Sequence, residues 1–335
     1  VKVVAEAGQC HNGSVGKAIL LAWHAKQAGA SAIKYQLLKP ETIAQPDAGL
    51  YWKNTLGETN QRDAFTRAGI IDYPAWGEVA DACHEYGIEF LATPFDLEAV
   101  DKLESIGVRR YKIASGDITY RQLIERVADT GKGIILSTGA SMVEEIWRAV
   151  GWCGDTEDVT LLACSLSYPC TARDANVSRI NRLVYEFGSE VGYSDHTSLP
   201  ETGLAAAALG SVLNEVHFTL NNAAPDVPDH AMACDPDRLA AYVDASQLGE
   251  KLRGEGSLWP MDAELAARVG ARRSVCARVD VGPGHVWGVD DFVFLRPGDG
   301  VPPFEVDQLV GCAAWRAYEA GEQIVRHTTV PSGCP

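Results

Sequence analysis

The chain has 335 residues, 46% of them hydrophobic and 22% charged, a balance that excludes an intrinsically disordered polymer and fits a soluble globular enzyme. A formal net charge of −16 argues against non-specific nucleic-acid binding, which needs a basic face to displace counterions. It does not exclude an anionic small substrate, whose pocket needs only a few local cations and aimed N–H groups.

No apolar run is long and uncharged enough to span a bilayer, so no membrane partner is expected, and the opening VKVVAEAGQC reads as a buried strand rather than a signal peptide. The nine cysteines are scattered and contain no CxxC pair, which disfavours a zinc ribbon or a disulfide framework. Most read as small buried hydrophobes in a reducing cytoplasm. The length exceeds what one core usually fills, so a large domain and a smaller one are expected.

In chain order, eight β-rich apolar runs appear: VKVVAEAG (1–8), SAIKYQLL (31–38), IEFLATPF (88–95), RRYKIAS (109–115), GIILSTG (133–139), VTLLACS (159–165), EVGYSDH (190–196) and SVLNEVHF (211–218). Most are near-continuous, as a parallel sheet covered on both faces requires. Helix patterns at 17–30, 97–107, 142–151 and 201–210 lie between them, several closing on Gly. The alternation predicts a (β/α)8 TIM barrel over 1–252. A doubly wound open sheet would satisfy the alternation too, but no G-x-G-x-x-G follows the first strand and no Walker A loop occurs. The polar stretch 40–72, with Tyr51 and Trp52, is too long for an ordinary βα loop and is expected to cap the active-site face. A linker with a short helix covers 253–271. Residues 272–335 read as a small β-rich domain, a lid or dimerisation module, with a helix-like stretch at 305–318.

In such a barrel the C-terminal strand ends line the active site. Those ends carry Glu6, Lys34, Gln36, Thr93, Lys112, Ser115, Ser137, Thr138, Tyr168, Ser194, His196, Glu215 and His217. Singly, several have plain structural explanations; Ser137–Thr138–Gly139 reads as a helix N-cap. Lys34 and Lys112 do not, because an ammonium inside an apolar strand must be paired or solvated in a cleft. Two lysines with several hydroxyls at one mouth make a phosphate and carboxylate receptor. One strand-end histidine would be a structural imidazole. His196 and His217 end adjacent strands only about 5 Å apart, and with Glu6 nearby they suggest a two-histidine divalent site with open positions. His230, in the loop after the last strand, is read as a loop residue.

The stretches AEAGQCHNGS (5–14), AIKYQ (32–36), ATPFD (92–96), YKIASGDIT (111–119), ILSTGAS (135–141), GYSDHT (192–197), HFTL (217–220) and PDH (228–230) together resemble the sialic acid synthase (N-acetylneuraminate synthase) family. The part from RRS (272–274) through LRPGDGV (295–301) resembles that family's antifreeze-like (SAF) domain. The resemblance implies condensation of phosphoenolpyruvate with an open-chain aldose to give a 2-keto acid and phosphate. It implies a divalent metal on His196 and His217, Mn2+ first, with Mg2+ or Co2+ as alternatives. It also implies phosphoenolpyruvate on Lys34, Thr93, Lys112, Ser115, Ser137 and Ser194. Gln36, Tyr168, Glu215 and Asp229 would face the sugar, with Glu6 orienting or deprotonating. Arg296 would reach the sugar in the barrel of the partner subunit of a domain-swapped homodimer.

The sequence departs from the family pattern at Cys10, Ala163, Leu166, Val216 and Ala231, where asparagine, other polar groups or lysine are usual. Alternation puts Val216 on the face opposite His217, a packing change. Retained chemistry on an unusual acceptor, in a specialised pathway, is the expectation. Two alternatives stay open: a phosphorylated-aldose synthase of the octulosonate or heptulosonate type, and a degenerate paralogue that binds a sugar acid without turnover.

Overall fold

A computed structural model describes residues 1–52, 57–156, 158–224 and 227–325. The chain divides into two compact units, Val1–Gly254 and Glu255–Pro335. Residues 326–335, the end of the expected small domain, lie outside the described residues.

The first unit runs β1 (Lys2–Gly8), α1 (Val15–Gln27), β2 (Ala32–Leu37), α2 (Pro40–Ile43), α3 (Gln61–Ala68), α4 (Trp76–Tyr86), β3 (Glu89–Pro94), α5 (Leu97–Ile106) and β4 (Arg110–Ile113). It continues through α6 (Arg121–Ala128), β5 (Gly133–Ser137), α7 (Val143–Trp152), β6 (Val159–Cys164), α8 (Arg179–Phe187), β7 (Glu190–Asp195), α9 (Pro200–Ala208), β8 (Leu213–His217) and α10 (Pro236–Arg253). All eight expected strands are present, within two residues at either end. They form one parallel sheet in the order β3-β2-β1-β8-β7-β6-β5-β4, and its outer strands β3 and β4 pack side by side. This is a (β/α)8 barrel. The stretch 40–72 is not structureless, since α2 and α3 lie within it.

Strand alternation splits the core into two layers. Val4, Ala32, Leu91, Ile135, Leu162 and Leu213 form a small cluster of their own inside the barrel. Their strand neighbours, among them Val3, Ala5, Ile33, Tyr35, Leu161, Val191 and Val216, pack with the helices in the larger cluster. The apolar runs look continuous because both faces of each strand are buried. Two residues on from the inner cluster, the same inward face turns polar: Val4 gives way to Glu6, Ala32 to Lys34, Leu91 to Thr93, Ile135 to Ser137 and Leu213 to Glu215. Side-chain caps start several helices, with Ser14 accepting from Lys17 N, Asp96 from Ala99 N and Asp235 from Arg238 N.

In the second unit α11 (Leu265–Ala271) precedes an antiparallel pair, β9 (Ser274–Ala277) and β10 (Phe292–Leu295). Val275, Trp287, Phe292, Tyr318 and Ile324 supply its own core. The helix expected at 305–318 is absent. A 3-10 turn at Pro303–Gln308 ends there, Gly311 takes φ +83°, and Ala313 and Tyr318 bridge to Val286 and Val281 instead. Left-handed backbone at Gly311 stops helical propagation.

Candidate active site

One cavity of about 750 Å³ opens at the C-terminal strand ends. Of the barrel residues singled out as site candidates, Glu6, Lys34, Gln36, Thr93, Lys112, Ser115, Ser137, Tyr168, Ser194, His196, Glu215, His217 and Asp229 line it. Thr138 does not; its hydroxyl donates to the Leu162 carbonyl and is buried. Arg296 lies in the second unit, exposed, just after β10 and before a cis Pro297.

Register brings the charges together. Glu6 pairs in the ladder with Lys34 on one side and His217 on the other, and Ser194 pairs with Glu215. Lys34 Nζ lies 2.6 Å from Glu6 Oε2 and 3.7 Å from Glu215 Oε1, while Lys112 Nζ lies 3.8 Å from the same Glu215 oxygen. Lys34 also donates to Thr93 Oγ1, Gln36 Nε2 to Glu6 Oε1 and Ser194 Oγ to Glu215 Oε1. Two ammonium groups and two carboxylates are thus buried as one neutral set, which answers how the strand lysines are tolerated.

Burial would raise the Glu215 carboxyl, but Lys112 and Lys34 outweigh it and hold it below its ordinary range. Burial likewise opposes the Lys34 ammonium, and Glu215 with Glu6 lifts it nonetheless. Burial raises Glu6 and depresses Lys112. Elsewhere on the cavity wall, Ser115 Oγ accepts from Gly139 N and contacts Cys164 Sγ at 3.1 Å.

The two imidazoles lie 5.4 Å apart between ring centroids, with Tyr168 4.4 Å from His196. His196 Nδ1 is 2.7 Å from the Ser165 carbonyl, so it donates there and leaves Nε2 with the lone pair. Burial holds His196 down at about 4, and burial together with His196 depresses His217 well below the ordinary range. Both rings are therefore neutral at physiological pH. Buried His217 Nδ1 has no hydrogen-bond partner among the described residues; the nearest carboxylate is Asp229 Oδ2 at 3.9 Å. A neutral imidazole oriented by a backbone carbonyl, beside a second one with a buried nitrogen that makes no hydrogen bond among the described residues, fits a divalent cation. Among the described residues no group of three or more His, Cys, Asp and Glu side chains is placed to hold a metal ion, so the two imidazoles would be the protein's whole share of such a site.

Asp229 stands over this pair, pushed up to about 7 by burial and by Glu6. It approaches closely because Gly8, at φ +51°, has no Cβ; one would lie 2.8 Å from Asp229 Oδ2. His230 is not a plain loop residue: it is buried in a 3-10 turn, and its Nδ1 meets Thr219 Oγ1. Of the five departures, Leu166 and Ala231 line the cavity, whereas Cys10, Ala163 and Val216 sit in the sheet–helix layer.

Asp117, Arg238 and Phe65 also line the cavity and were not singled out from sequence. Asp117 belongs to the loop leaving β4, where the rule that picked Ser115 would have found it. Its Oδ2 is buried without a hydrogen-bond partner, and burial, against the pull of Lys112, raises the carboxyl to about 7. Above its ordinary value of 3.8 the unfolded chain releases this proton while the folded chain keeps it. The stability contribution of Asp117 is therefore full below pH 3.8 and lost as pH rises through about 7. Asp117→Asn is expected to gain roughly 1–3 kcal/mol over the wild type at pH 8 and little at pH 4, read from denaturation curves at both values. An equal difference at both would overturn the assignment.

A (β/α)8 barrel whose mouth gathers paired lysines, carboxylates and neutral histidines defines an enzyme, since strand-end chemistry on this fold is where catalysis is built. Residues 21–257 match the NeuB family. The chain is 32% identical to the N,N'-diacetyllegionaminic acid synthase of Legionella pneumophila, over 96% of this chain and 93% of that one. It is 37% identical to an uncharacterized protein of Methanocaldococcus jannaschii, over 89% and 86%. The solved N-acetylneuraminic acid synthetase of Leptospira borgpetersenii, in complex with citrate, superposes with a TM-score of 0.72 at 31% identity, covering 80% of this chain and 90% of that one. The chain belongs to the NeuB family, and it is a transferase-type condensing enzyme.

Proposed function

We propose that this enzyme condenses phosphoenolpyruvate with an open-chain aldose, N-acylmannosamine-like or a related sugar aldehyde, giving a chain-extended 2-keto acid of the sialic-acid type and phosphate. The observation that carries the reading is one cavity with two buried lysines and hydroxyls beside two neutral imidazoles. Names of relatives that make legionaminic and pseudaminic acids support it.

His196 and His217 would hold a divalent cation, Mn2+ or alternatively Mg2+ or Co2+. When bound, such a cation supplies Lewis-acid polarisation of the aldehyde oxygen. Lys34 and Lys112, with Thr93, Ser115, Ser137 and Ser194, hold the phosphate and carboxylate of phosphoenolpyruvate and offset their charge. C3 of phosphoenolpyruvate attacks the aldehyde carbon and forms the C–C bond, and the aldehyde oxygen takes a proton. Water adds at the electron-poor C2 and gives up a proton. The tetrahedral carbon then expels phosphate by C–O cleavage, its hydroxyl passing its proton to the departing phosphate as the C=O bond forms. Glu6, fixed by Lys34 and Gln36, orients and deprotonates that water. Tyr168, held neutral by burial, and Asp229 donate to sugar oxygens, and Glu215 keeps both lysines aimed. Arg296 completes the sugar site from the SAF-like domain of the partner subunit of a homodimer. Buried, free cysteines such as Cys83 and Cys234 suit a cytoplasmic enzyme.

A phosphorylated aldose fits less well. Beyond Lys34 and Lys112, the cation on the cavity wall among the described residues is Arg238, whose guanidinium is tied to the Ser198 and Ala233 carbonyls. The test is phosphate release from phosphoenolpyruvate with Mn2+ and a panel of aldoses, with mass detection of a product longer by a pyruvyl unit. Release with an unphosphorylated N-acyl aldose is expected; no release with any aldehyde sinks the reading.

A further inference from the structure

One stretch of chain, residues 165–170, holds His196 in three ways. Ser165, the first residue beyond β6, accepts the His196 Nδ1 proton on its carbonyl at 2.7 Å. The Tyr168 ring lies 4.4 Å from the imidazole between centroids, and Cys170 N donates to the His196 carbonyl at 3.0 Å. The ring nitrogen, the ring itself and the backbone are all engaged.

A carbonyl orients an imidazole only as well as it is itself fixed, and at Ser165 the strand has just ended. On the β5 side the ladder stops where Thr138 N donates to the Leu162 carbonyl, and the next amide, Gly139 N, turns to Ser115 Oγ. Ties from outside the sheet take over. Ser165 Oγ donates to the Asp174 carbonyl, and Thr171 Oγ1 donates to Asp174 Oδ2 while accepting from Asp174 N. Those bonds join parts of one loop. Arg179, the first residue of α8, instead donates from Nη1 to the Cys164 carbonyl, one peptide before Ser165. Its helix is seated on the barrel by buried Ile180 and Leu183, so Arg179 anchors the end of β6 to a fixed body.

We propose that Arg179 is a positioning residue for the divalent cation: by holding the end of β6 it fixes the Ser165 carbonyl, which keeps the His196 proton on Nδ1 and leaves the Nε2 lone pair to the cation. This rests on the reading of His196 and His217 as cation ligands. Arg179 lies outside the cavity wall and acts only through Cys164, Ser165 and His196. An imidazole free to turn or to change tautomer presents its lone pair to the site only part of the time.

The experiment needs neither substrate nor turnover. Mn2+ is titrated calorimetrically into the wild type, Arg179→Met and Arg179→Lys. The tautomer of His196 is read in the cation-free proteins from long-range proton–nitrogen correlation spectra, with His196→Gln assigning the signal. The wild type is expected to show the Nδ1–H tautomer alone. Arg179→Met should mix the two tautomers and weaken Mn2+ by about 10–100-fold, the usual reach of a group one step behind a ligand. Arg179→Lys, which keeps a donor, should recover most of that affinity. A lower unfolding midpoint in Arg179→Met with the tautomer and Mn2+ affinity unchanged would mean a purely structural arginine and overturns the proposal. So does an Nε2–H tautomer in the wild type. Should Arg179→Met fail to fold, Arg179→Gln, too short to reach the carbonyl, decides on the same two readings. If the wild type binds no Mn2+, the cation reading has failed, and the tautomers alone decide: a mixture in Arg179→Met upholds the positioning, and a fixed Nδ1–H overturns it.

Discussion

His217→Ala is expected to abolish divalent-cation binding and to lower kcat/KM by about 10³, since Lewis-acid stabilisation is worth several kcal/mol and each 1.4 kcal/mol is tenfold. His196→Ala should do the same, because each ring supplies half of the protein's share of the site. The fold should survive both changes: the rings line a cavity and belong to neither apolar cluster. Mn2+ titration by calorimetry or electron paramagnetic resonance checks binding apart from turnover. Turnover left intact in either variant would mean that the histidines are not ligands. The pH dependence has a definite sign. Protons compete with a cation for imidazole nitrogen, and burial holds His196 down at about 4 rather than its ordinary 6.5. Cation affinity should therefore persist through pH 6 and fall only as pH drops toward 4.

Lys34→Met carries the other large effect, and it is expected in two observables. Lys34 is the cation closest to Glu6 and one of two cations facing Glu215, all of them buried. Removing it leaves the buried Glu6 without its ion-pair partner, which costs about 3–5 kcal/mol of stability when one partner of a buried pair is deleted. Phosphate release should fall by about 10²–10³, the cost of losing one preorganised electrostatic group. The double variant Lys34→Met, Glu6→Gln separates the two effects. It should regain much of the stability, since neither charge is left unpaired, and none of the activity. Stability unchanged in Lys34→Met would mean that water, not Glu6, solvates the ammonium.

Several features were legible in the chain because they depend on short-range periodicity. A run such as VKVVAEAG has a single explanation, a strand covered on both faces, and eight such runs separated by helix-forming segments have few ways to pack. Strand ends in this fold face one mouth, so reading the polar residues toward the end of each run already collected Glu6, Lys34, Lys112, His196 and His217. The 305–318 stretch failed because its apolar spacing imitates a helix while Gly311 forbids one. Phe65 was missed because it lies in an inserted helix, where no period points at the site, whereas Asp117 shares the turn after β4 with Ser115 and needed only two more residues of reading.

The sequence by itself determined the barrel, the inward-facing polar ring and the family, since alternation and local motifs survive without knowing which strands touch. Tertiary structure alone decided the partners. Glu215 meets Lys34 and Lys112 only because barrel closure puts β8 beside β1 and across from β4. Its carboxylate is what lets two ammonium groups stay charged out of water. The orientation of His196 by the Ser165 carbonyl, and a line of rings from Tyr168 through Tyr51 and Trp52 to Phe65, also join residues far apart in the chain. Such contacts depend on the closure of the whole sheet, and no local pattern in the sequence encodes them.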